Sequence, residues 1–335
     1  MTRAFICGCA GTSLSAEEKA FLREARPFGA ILFRRNVASR EQLRALTGEI
    51  RAQLGADAPI LVDQEGGRVQ RLAPPHWRAY PAAAAFARLG RDGAATARLI
   101  RLSARLIAHD LREVGVDVDC LPVLDTPCDG AHDVIGDRAY GRDPAEIARL
   151  GRAAAEGLLA GGVLPVIKHI PGHGRARADS HLELPAVDAA RAELEGQDFL
   201  PFRADADLPL AMTAHVVYTA IDPERPGTLS PTVIGEIIRG WIGFDGLLMT
   251  DDLSMKALSG GFRDRAEGAI RAGCDIVLHC NGALDEARAV AEGAGELAGR
   301  ALARAQAALA RRGAPEDFDP VDGARELDAA LAATA

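Results

Sequence analysis

The chain has 335 residues, with 39 lysines and arginines against 47 aspartates and glutamates, so its formal net charge is −8. A hydrophobic fraction of 48% and a charged fraction of 26% are typical of a folded globular protein and exclude a disordered chain. The acidic balance argues against a general nucleic-acid-binding protein, which needs a clustered positive field. The length suits one large barrel domain or two ordinary domains.

Short apolar segments, separated by turn residues and longer helical patterns, predict the β-strands. Most of these segments are apolar throughout rather than alternating, which is typical of parallel strands buried on both faces. The first lacks the sustained hydrophobic region of a signal peptide, so we interpret it as an additional strand. In chain order the predicted strands are residues 4–8, 28–33, 58–64, 116–125, 163–170, 208–217, 244–252 and 274–281.

Capping residues and apolar periodicity predict helices between these strands. Ser39 and Gln42 have the spacing of a capping box, and Asp143 followed by Pro144 starts a helix that runs to Gly161. Further helices are predicted for an apolar stripe of Leu99, Leu102, Leu106 and Ile107, for residues 230–240 and for the Ala-rich stretch 283–313.

Repeated strand–helix units predict the α/β class and, within it, a single-domain (β/α)8 TIM-type barrel rather than an open doubly wound sheet. No GxGxxG or GxxxxGK[ST] motif follows a predicted strand, which weakens a nucleotide-binding alternative. We predict a catalytic barrel over residues 1–313 and a helical C-terminal appendage over residues 314–335.

Cysteine usage and the absence of long apolar segments predict the compartment. The six cysteines include no CxxC pair, so buried free thiols in a reducing compartment are favoured over a disulfide framework or a zinc knuckle. No segment reaches the ~20 apolar residues of a transmembrane helix. We therefore expect a cytoplasmic protein with neither a membrane nor a nucleic acid as partner.

Polar residues cluster after the ends of the predicted strands, where parallel barrels form their active sites. The longest cluster is KHIPGHGRARADSH at 168–181. Its first two residues end an apolar strand, so one of Lys168 and His169 is expected to face the barrel mouth. Two interpretations of the histidines remain open, solvated loop residues or a zinc site, although the spacing matches no common zinc motif.

A sharper interpretation pairs Asp179 with His181. In an extended segment, residues two apart project to the same side. A carboxylate beside an imidazole orients the ring and stabilises its protonated form, which suits general acid–base catalysis. The GxSxG elbow of serine hydrolases is absent, so a serine nucleophile is not indicated.

Two further acidic clusters follow predicted strands. Asp251 ends the run GLLM and is expected at the barrel rim, whereas the adjacent Asp252 projects the other way; one of the two could attack a carbon centre, and the other would orient a loop or cap a helix. In DQEGGRVQR, Asp63 ends a strand, and Arg68 and Arg71 supply forked donors. Carboxylates and arginines around a neutral polar ligand suit the hydroxyl groups of a sugar.

Five motifs, taken together, carry a family resemblance. They are DQEGGRVQRL, IGDRAYGRDP, KHIPGHGRARADSH, FDGLLMTDDLSM and AGCDIVLHCNG. In this order they resemble the single-domain bacterial β-N-acetylhexosaminidases of glycoside hydrolase family 3, and among these the cytoplasmic enzymes of peptidoglycan recycling. The resemblance extends from about residue 28 to residue 282 and so covers most of the chain.

The resemblance implies a retaining exo-β-N-acetylglucosaminidase. Its implied substrate is GlcNAc linked β-1,4 to 1,6-anhydro-N-acetylmuramic acid, with or without peptide. Asp251 is then the nucleophile, and His181, assisted by Asp179, is the acid/base. Contacts to the sugar are implied for Asp63, Arg71, Arg138, Lys168 and His169. We expect a monomer whose partner is this small-molecule substrate, with no metal and no cofactor.

Three rival functions remain at this stage. Some relatives with the same dyad use phosphate in place of water, and Arg175 and Arg177 would favour such an anion. A non-catalytic sugar-binding barrel would keep Asp63, Arg71 and Lys168 but lack the chemistry. A metal-dependent hydrolase would use the histidines of residues 168–181 as ligands.

Overall fold

Eight parallel strands form a closed barrel in the computed structural model, which describes residues 1–89 and 92–333. Each strand pairs with the next in the chain, and β8 pairs with β1 through Val277 and Phe5. The predicted (β/α)8 TIM-type barrel is therefore confirmed. The strands are β1 (Arg3–Gly8), β2 (Pro27–Leu32), β3 (Ile60–Val62), β4 (Val118–Asp119), β5 (Leu164–Ile170), β6 (Leu210–Thr213), β7 (Leu247–Asp252) and β8 (Ile276–His279).

Two predicted strands are much shorter in the structure. The segment 116–125 forms a continuous strand only over Val118–Asp119 and meets β5 again at a bridge between Val123 and Lys168, because Pro122 between these parts has no amide hydrogen to donate to a neighbouring strand. The segment 208–217 divides between β6 and a separate short strand, Val217–Tyr218, which pairs with Ala186–Val187 outside the barrel. Another small pair, Gln64–Gly66 with Val69–Gln70, follows β3.

The helices surround the barrel largely where capping residues predict them. Ser39 accepts a hydrogen bond from the Gln42 amide, and Asp143 accepts one from the Glu146 amide. The α-helices are Ala16–Ala25, Arg40–Leu54, Ala83–Ala87, Gly93–Glu113, Pro144–Ala160, Arg191–Gly196, Leu200–Ala204, Phe262–Ala272, Leu284–Ala294, Gly299–Ala310 and Pro320–Ala332. The segment predicted at 230–240 is a π-helix, Val233–Trp241.

The stretch predicted as helical over 283–313 is helical in two parts. Helices Leu284–Ala294 and Gly299–Ala310 are separated where Gly295 takes a φ of 67°, a conformation that ends a helix and favours glycine. The Gly295 carbonyl accepts a hydrogen bond from the Ala4 amide at 3.0 Å, so this break is tied to the start of β1.

The apolar core has two layers. Side chains such as Ile6, Leu61 and Met249 fill the barrel interior, and a second cluster packs between the strands and the surrounding helices. All six cysteines are unpaired, and all but Cys128 are buried. Within residues 1–89 and 92–333, no helix is both long enough and apolar enough to cross a bilayer.

The C-terminal segment, predicted as an appendage over 314–335, contains helix Pro320–Ala332, and its last two residues lie outside the described ones. Leu327 of this helix is fully buried, and the Arg105 guanidinium lies 4.4 Å from the centroid of the Phe318 ring. The segment thus packs on the outer helix Gly93–Glu113.

Candidate active site

One cavity of about 440 Å³ opens at the carboxyl ends of the barrel strands. Asp63 reaches it from the end of β3, Lys168 from β5 and Asp251 from β7. All eight residues that the sequence suggests as catalytic or sugar-binding line this cavity: Asp63, Arg71, Arg138, Lys168, His169, Asp179, His181 and Asp251. The fold therefore gathers residues that are far apart in the chain into one place.

Five charged side chains on one side of the cavity, Asp63, Glu65, Arg71, Arg138 and Lys168, form what we call the ionic cluster. The Lys168 ammonium, only 2% exposed, lies 2.8 Å from Asp63 and 2.6 Å from Glu65. Arg71 donates to the other Asp63 oxygen at 2.9 Å. Arg138 forms a bidentate pair with Glu65, with both N–O distances 2.8 Å. Each carboxylate thus contacts two cations.

The charges of the ionic cluster outweigh the effect of burial on its pKa values. Burial favours the neutral form of Glu65, but Lys168 and Arg138 lower the pKa of this carboxyl to about 2. Burial likewise opposes ionisation of Asp63, and Lys168 and Arg71 nevertheless hold its pKa well below its usual range. Both carboxylates are consequently charged near neutral pH.

Glu65 is a site residue that sequence reasoning missed. It lies two residues after Asp63 in the DQEGG motif, and this spacing is the signal by which the sequence could have indicated it as a second carboxylate of the site. Its partners, Lys168 and Arg138, come from distant segments, so only the closed barrel brings these three charges together.

His169 is fixed by a second residue that the sequence analysis did not single out, Asp125. This fully buried carboxylate contacts His169 Nδ1 at 2.6 Å and accepts the His173 amide at 2.6 Å. Lys168 and His169 are adjacent in the chain, and yet both line the cavity. The register of β5 shifts between Lys168 and Ile170, which breaks the alternation of side chains.

Asp251 and Asp252 differ in their surroundings. One oxygen of Asp251 accepts the Asp252 amide at 2.8 Å. Burial disfavours its charged form, but the neighbouring His169 and His215 lower its pKa, so Asp251 is ionised. Asp252 instead accepts the amides of Ser254 and Cys280, each at 3.0 Å, and so stabilises the loop after β7.

Asp179 and His181 are in direct contact at the cavity mouth. The Asp179 Oδ1 atom lies 2.8 Å from His181 Nδ1 and also accepts the His181 amide at 2.9 Å. The segment is a turn rather than the expected extended chain, since the Leu182 and Glu183 amides both donate to the Asp179 carbonyl. Burial opposes ionisation of Asp179, but the two hydrogen bonds from His181 together outweigh it and lower the pKa of this carboxyl.

The three histidines of this region have separate partners. His169 contacts Asp125, His173 contacts Ser180, and His181 contacts Asp179. Across the part of the chain that the structure describes, no group of three or more His, Cys, Asp or Glu side chains is arranged to hold a metal ion. The geometry thus does not favour the zinc interpretation of residues 168–181.

Comparison with known proteins places these residues in a family. Residues 8–311 match the family model described as the glycosyl hydrolase family 3 N-terminal domain. The chain belongs to glycosyl hydrolase family 3. It is 46% identical over 278 residues to a β-hexosaminidase from Alkalilimnicola ehrlichii, a match that covers 82% of this chain and 79% of that protein. The chain is accordingly a glycoside hydrolase of the β-hexosaminidase type.

Two solved structures of NagZ from Neisseria gonorrhoeae share the architecture. The complex with N-trifluoroacetyl-D-glucosamine is 34% identical, with a TM-score of 0.85 over 99% of this chain and 97% of that one. A complex of the same Neisseria protein with a zinc ion is 33% identical, with a TM-score of 0.84 over 99% of this chain and 96% of that one. Both likenesses extend over nearly the full length of each chain.

Proposed function

We propose that this family 3 hydrolase is a retaining exo-β-N-acetylglucosaminidase in which Asp251 forms a covalent glycosyl intermediate and His181, held by Asp179, is the acid/base. The observation that carries the proposal is the common cavity, which brings an ionised carboxylate and a carboxylate-bound imidazole to the same barrel rim. Retaining glycosidases ordinarily use two carboxylates, and here the Asp–His pair takes the place of the second.

The surroundings of Asp251 support the role of nucleophile. The lowered pKa keeps the carboxylate charged, and attack on an anomeric carbon requires the charged form. The Asp252 amide binds one of its oxygens and so fixes the orientation of the carboxylate.

The geometry of His181 supports the role of acid/base. Asp179 occupies Nδ1, so Nε2 is the ring nitrogen that remains to exchange a proton with the substrate. The His181 side chain is 64% exposed, in keeping with a group that meets the leaving group at the mouth of the cavity.

In the first step, Asp251 attacks the anomeric carbon while the bond to the leaving oxygen breaks, and that oxygen takes the proton from His181 Nε2. In the second step, neutral His181 removes a proton from water, the water oxygen bonds to the anomeric carbon, and the bond to Asp251 breaks. Two inversions give net retention, and both residues return to their starting protonation states.

The ionic cluster supports recognition of a sugar. Its carboxylates and cations are fixed by one another and by burial, so they offer oriented donors and acceptors for hydroxyl groups. The Neisseria relative, solved in complex with N-trifluoroacetyl-D-glucosamine, supports GlcNAc as the sugar that is recognised. The proposed natural substrate is GlcNAc on 1,6-anhydro-N-acetylmuramic acid, with or without peptide, in cell-wall recycling.

The other expectations stay proposals. The protein is proposed to act in the cytoplasm as a monomer, without metal or cofactor and without a membrane or nucleic acid partner. Sedimentation of the purified protein tests the monomer, and fractionation of the source cells tests the compartment.

The decisive experiment is turnover of 4-nitrophenyl β-N-acetylglucosaminide with and without phosphate, with the product anomer followed by NMR. A hydrolase releases β-GlcNAc first, at a rate independent of phosphate, whereas a phosphorylase requires phosphate and yields the sugar phosphate. The surroundings of Arg175 favour the hydrolase. Glu193 and Asp198 each pair with this guanidinium at 2.7 Å, so its charge is already balanced and does not call for a phosphate ion. First release of α-GlcNAc would contradict retention, and a lack of any turnover would favour the non-catalytic sugar-binding barrel.

A further inference from the structure

Ser180 lies between the two members of the Asp179–His181 pair and is the buried part of an otherwise accessible segment. It is 3% exposed, whereas residues 181–184 that follow it are all exposed. Two contacts reach it from other parts of the site. Its hydroxyl lies 3.1 Å from His173 Nε2, and its carbonyl accepts the Ala257 amide at 3.3 Å. Ser180 therefore attaches the turn of residues 179–183 to the rest of the barrel.

The partner of this hydroxyl, His173, is itself firmly held. It is 3% exposed, and its amide donates to Asp125 at 2.6 Å. The next residue, Gly174, packs directly on the Thr126 backbone, where a Cβ atom would lie 2.1 Å from the Thr126 carbonyl oxygen. The Tyr218 hydroxyl donates to the Gly172 carbonyl at 2.7 Å. His173 is thus a rigid point beneath a more exposed turn.

The protonation state of His173 follows from its surroundings. Its Nδ1 atom is buried and has no hydrogen-bond partner within the described residues. A proton on Nδ1 would be a buried donor without an acceptor, so the favoured tautomer carries its proton on Nε2 and donates to Ser180. Burial, aided by His169, lowers the pKa of His173 to about 4, so the ring is neutral near pH 7.

We propose that His173 is a positioning residue, which holds Ser180 by this hydrogen bond and thereby keeps the Asp179–His181 pair aimed into the cavity. The inference rests on the proposed acid/base role of His181. Because Ser180 is flanked by both members of the pair, displacement of its hydroxyl moves the carboxylate and the imidazole together. His173 lines up the proton donor without touching the substrate, so its loss selectively weakens proton transfer.

The test compares glycosides that need protonation with one that does not. Methyl β-N-acetylglucosaminide has a poor leaving group, whereas 4-nitrophenolate leaves with little help. For Ser180→Ala and His173→Leu, we expect kcat/KM to fall about tenfold on the methyl glycoside, as for loss of one hydrogen bond, and less than about twofold on the nitrophenyl glycoside. The double variant should be no worse than the worse single variant, because both remove the same bond.

Matched variants separate positioning from general damage. Ser103 is also 3% exposed but lies in the outer helix Gly93–Glu113, so Ser103→Ala should leave the ratio of the two rates unchanged. His173→Gln restores a donor near the position of Nε2 and should recover most of the lost rate on the methyl glycoside. Equal losses on both glycosides for Ser180→Ala, or additive losses in the double variant, would overturn the proposal.

The same assay on His181→Ala distinguishes this inference from the proposed function. If His181→Ala shows the selective loss and Ser180→Ala does not, the positioning role of His173 is wrong and the acid/base assignment stands. If His181→Ala itself slows both glycosides equally, the acid/base assignment is wrong and the inference falls with it. Thermal unfolding of each variant shows whether it is folded. If His173→Leu does not fold, the test can still be made with Ser180→Ala, because this substitution removes only one oxygen atom.

Discussion

The ionic cluster and the turn of residues 179–183 line the same cavity but are held in opposite ways. In the cluster, Lys168 is 2% exposed and Glu65 4%, and each of the five charges is paired with at least one opposite charge. In the turn, His181 is 64% exposed, and its side chain contacts a residue two positions away. The groups proposed to hold the sugar are therefore buried in the barrel, whereas the imidazole proposed to transfer a proton lies on an exposed turn that makes few contacts with the barrel.

This difference indicates how the site divides its tasks. Recognition of a sugar ring needs fixed donors and acceptors, which burial and mutual ion pairing provide. Proton exchange with a leaving group and then with water needs access to solvent, which the turn provides. Changes in the cluster should consequently affect folding and binding, whereas changes in the turn should affect proton transfer alone.

The largest effect is expected at Asp251, which lines the same cavity as both regions. Asp251→Ala should lower kcat by a factor of about 10⁴ or more, as for removal of a catalytic nucleophile, and yet retain binding of GlcNAc measured by calorimetry. Asp252→Asn, the matched control, should lose about tenfold or less, since Asp252 binds loop amides. A wild-type rate in Asp251→Ala would refute the assignment.

The next largest effect is expected in the turn. His181→Ala should slow the methyl glycoside by about 10²- to 10³-fold, in the range of general acid catalysis, and the nitrophenyl glycoside much less. Asp179→Asn should show the same pattern more weakly, because it keeps the side-chain shape but loses the charge that stabilises the imidazolium. Both variants should unfold at the wild-type temperature, which differential scanning calorimetry measures.

The ionic cluster should show the reverse behaviour. Lys168→Met leaves two buried carboxylates short of a cation and should lower the free energy of unfolding by about 3 kcal/mol, measured by urea denaturation. Lys19→Met is the control, because the Lys19–Glu49 pair is 33% and 36% exposed and should contribute less than about 1 kcal/mol. Similar losses in both variants would contradict the difference between buried and exposed pairs.

A smaller effect concerns pH and His173, which faces His169, Asp125 and Asp251. Its folded-state pKa of about 4 lies below the ordinary value near 6.5, so between these values the unfolded chain binds a proton that the folded chain does not. Stability should fall by about 2 kcal/mol through this group as the pH decreases from 7.5 to 5. His173→Gln should remove this part of the pH dependence of the free energy of unfolding, which urea denaturation measures at each pH. If the variant and the wild type lose the same stability between pH 7.5 and 5, His173 is not buried as a neutral ring.

The smallest effect is expected on metal removal. Since the three histidines have separate partners, activity in reducing buffer should be unchanged by EDTA. Because a related protein has been solved with a zinc ion, the same activity should also be measured after zinc is added. If EDTA abolished activity and zinc restored it, the result would contradict the metal-free proposal and favour a metal-dependent hydrolase.

The sequence predicts the barrel well because most strands are continuous apolar runs that end in polar residues. Segment 163–170, for example, corresponds to β5 within one residue at its start. Segment 116–125 is predicted too long, because its apolar pattern continues to the end whereas the continuous ladder of hydrogen bonds stops after Asp119 and is followed by an isolated bridge between Val123 and Lys168. Composition indicates burial on both faces, but it does not reveal where a strand leaves the sheet.

The candidate site likewise contains residues that the sequence predicts and residues that it does not. Residues that end a strand, such as Asp63 and Asp251, are visible in the sequence because a charge abruptly follows an apolar run. Glu65 and Asp125 act through partners on other strands, and the register that brings them together is set by barrel closure. The link between His173 and Ser180 likewise depends on the path of the loop, which residue spacing alone does not determine.

The pairing of β1 with β8 also has a consequence for how the protein is made. Cys7 lies opposite His279, so the first barrel strand to be synthesised has to wait for the last barrel strand before its outer edge is paired. Until then β1 presents unpaired amides and carbonyls to other chains, which is a recognised route to aggregation. We therefore expect the incomplete barrel to expose strand edges during synthesis, and its yield in cells to depend on chaperones that shield these edges.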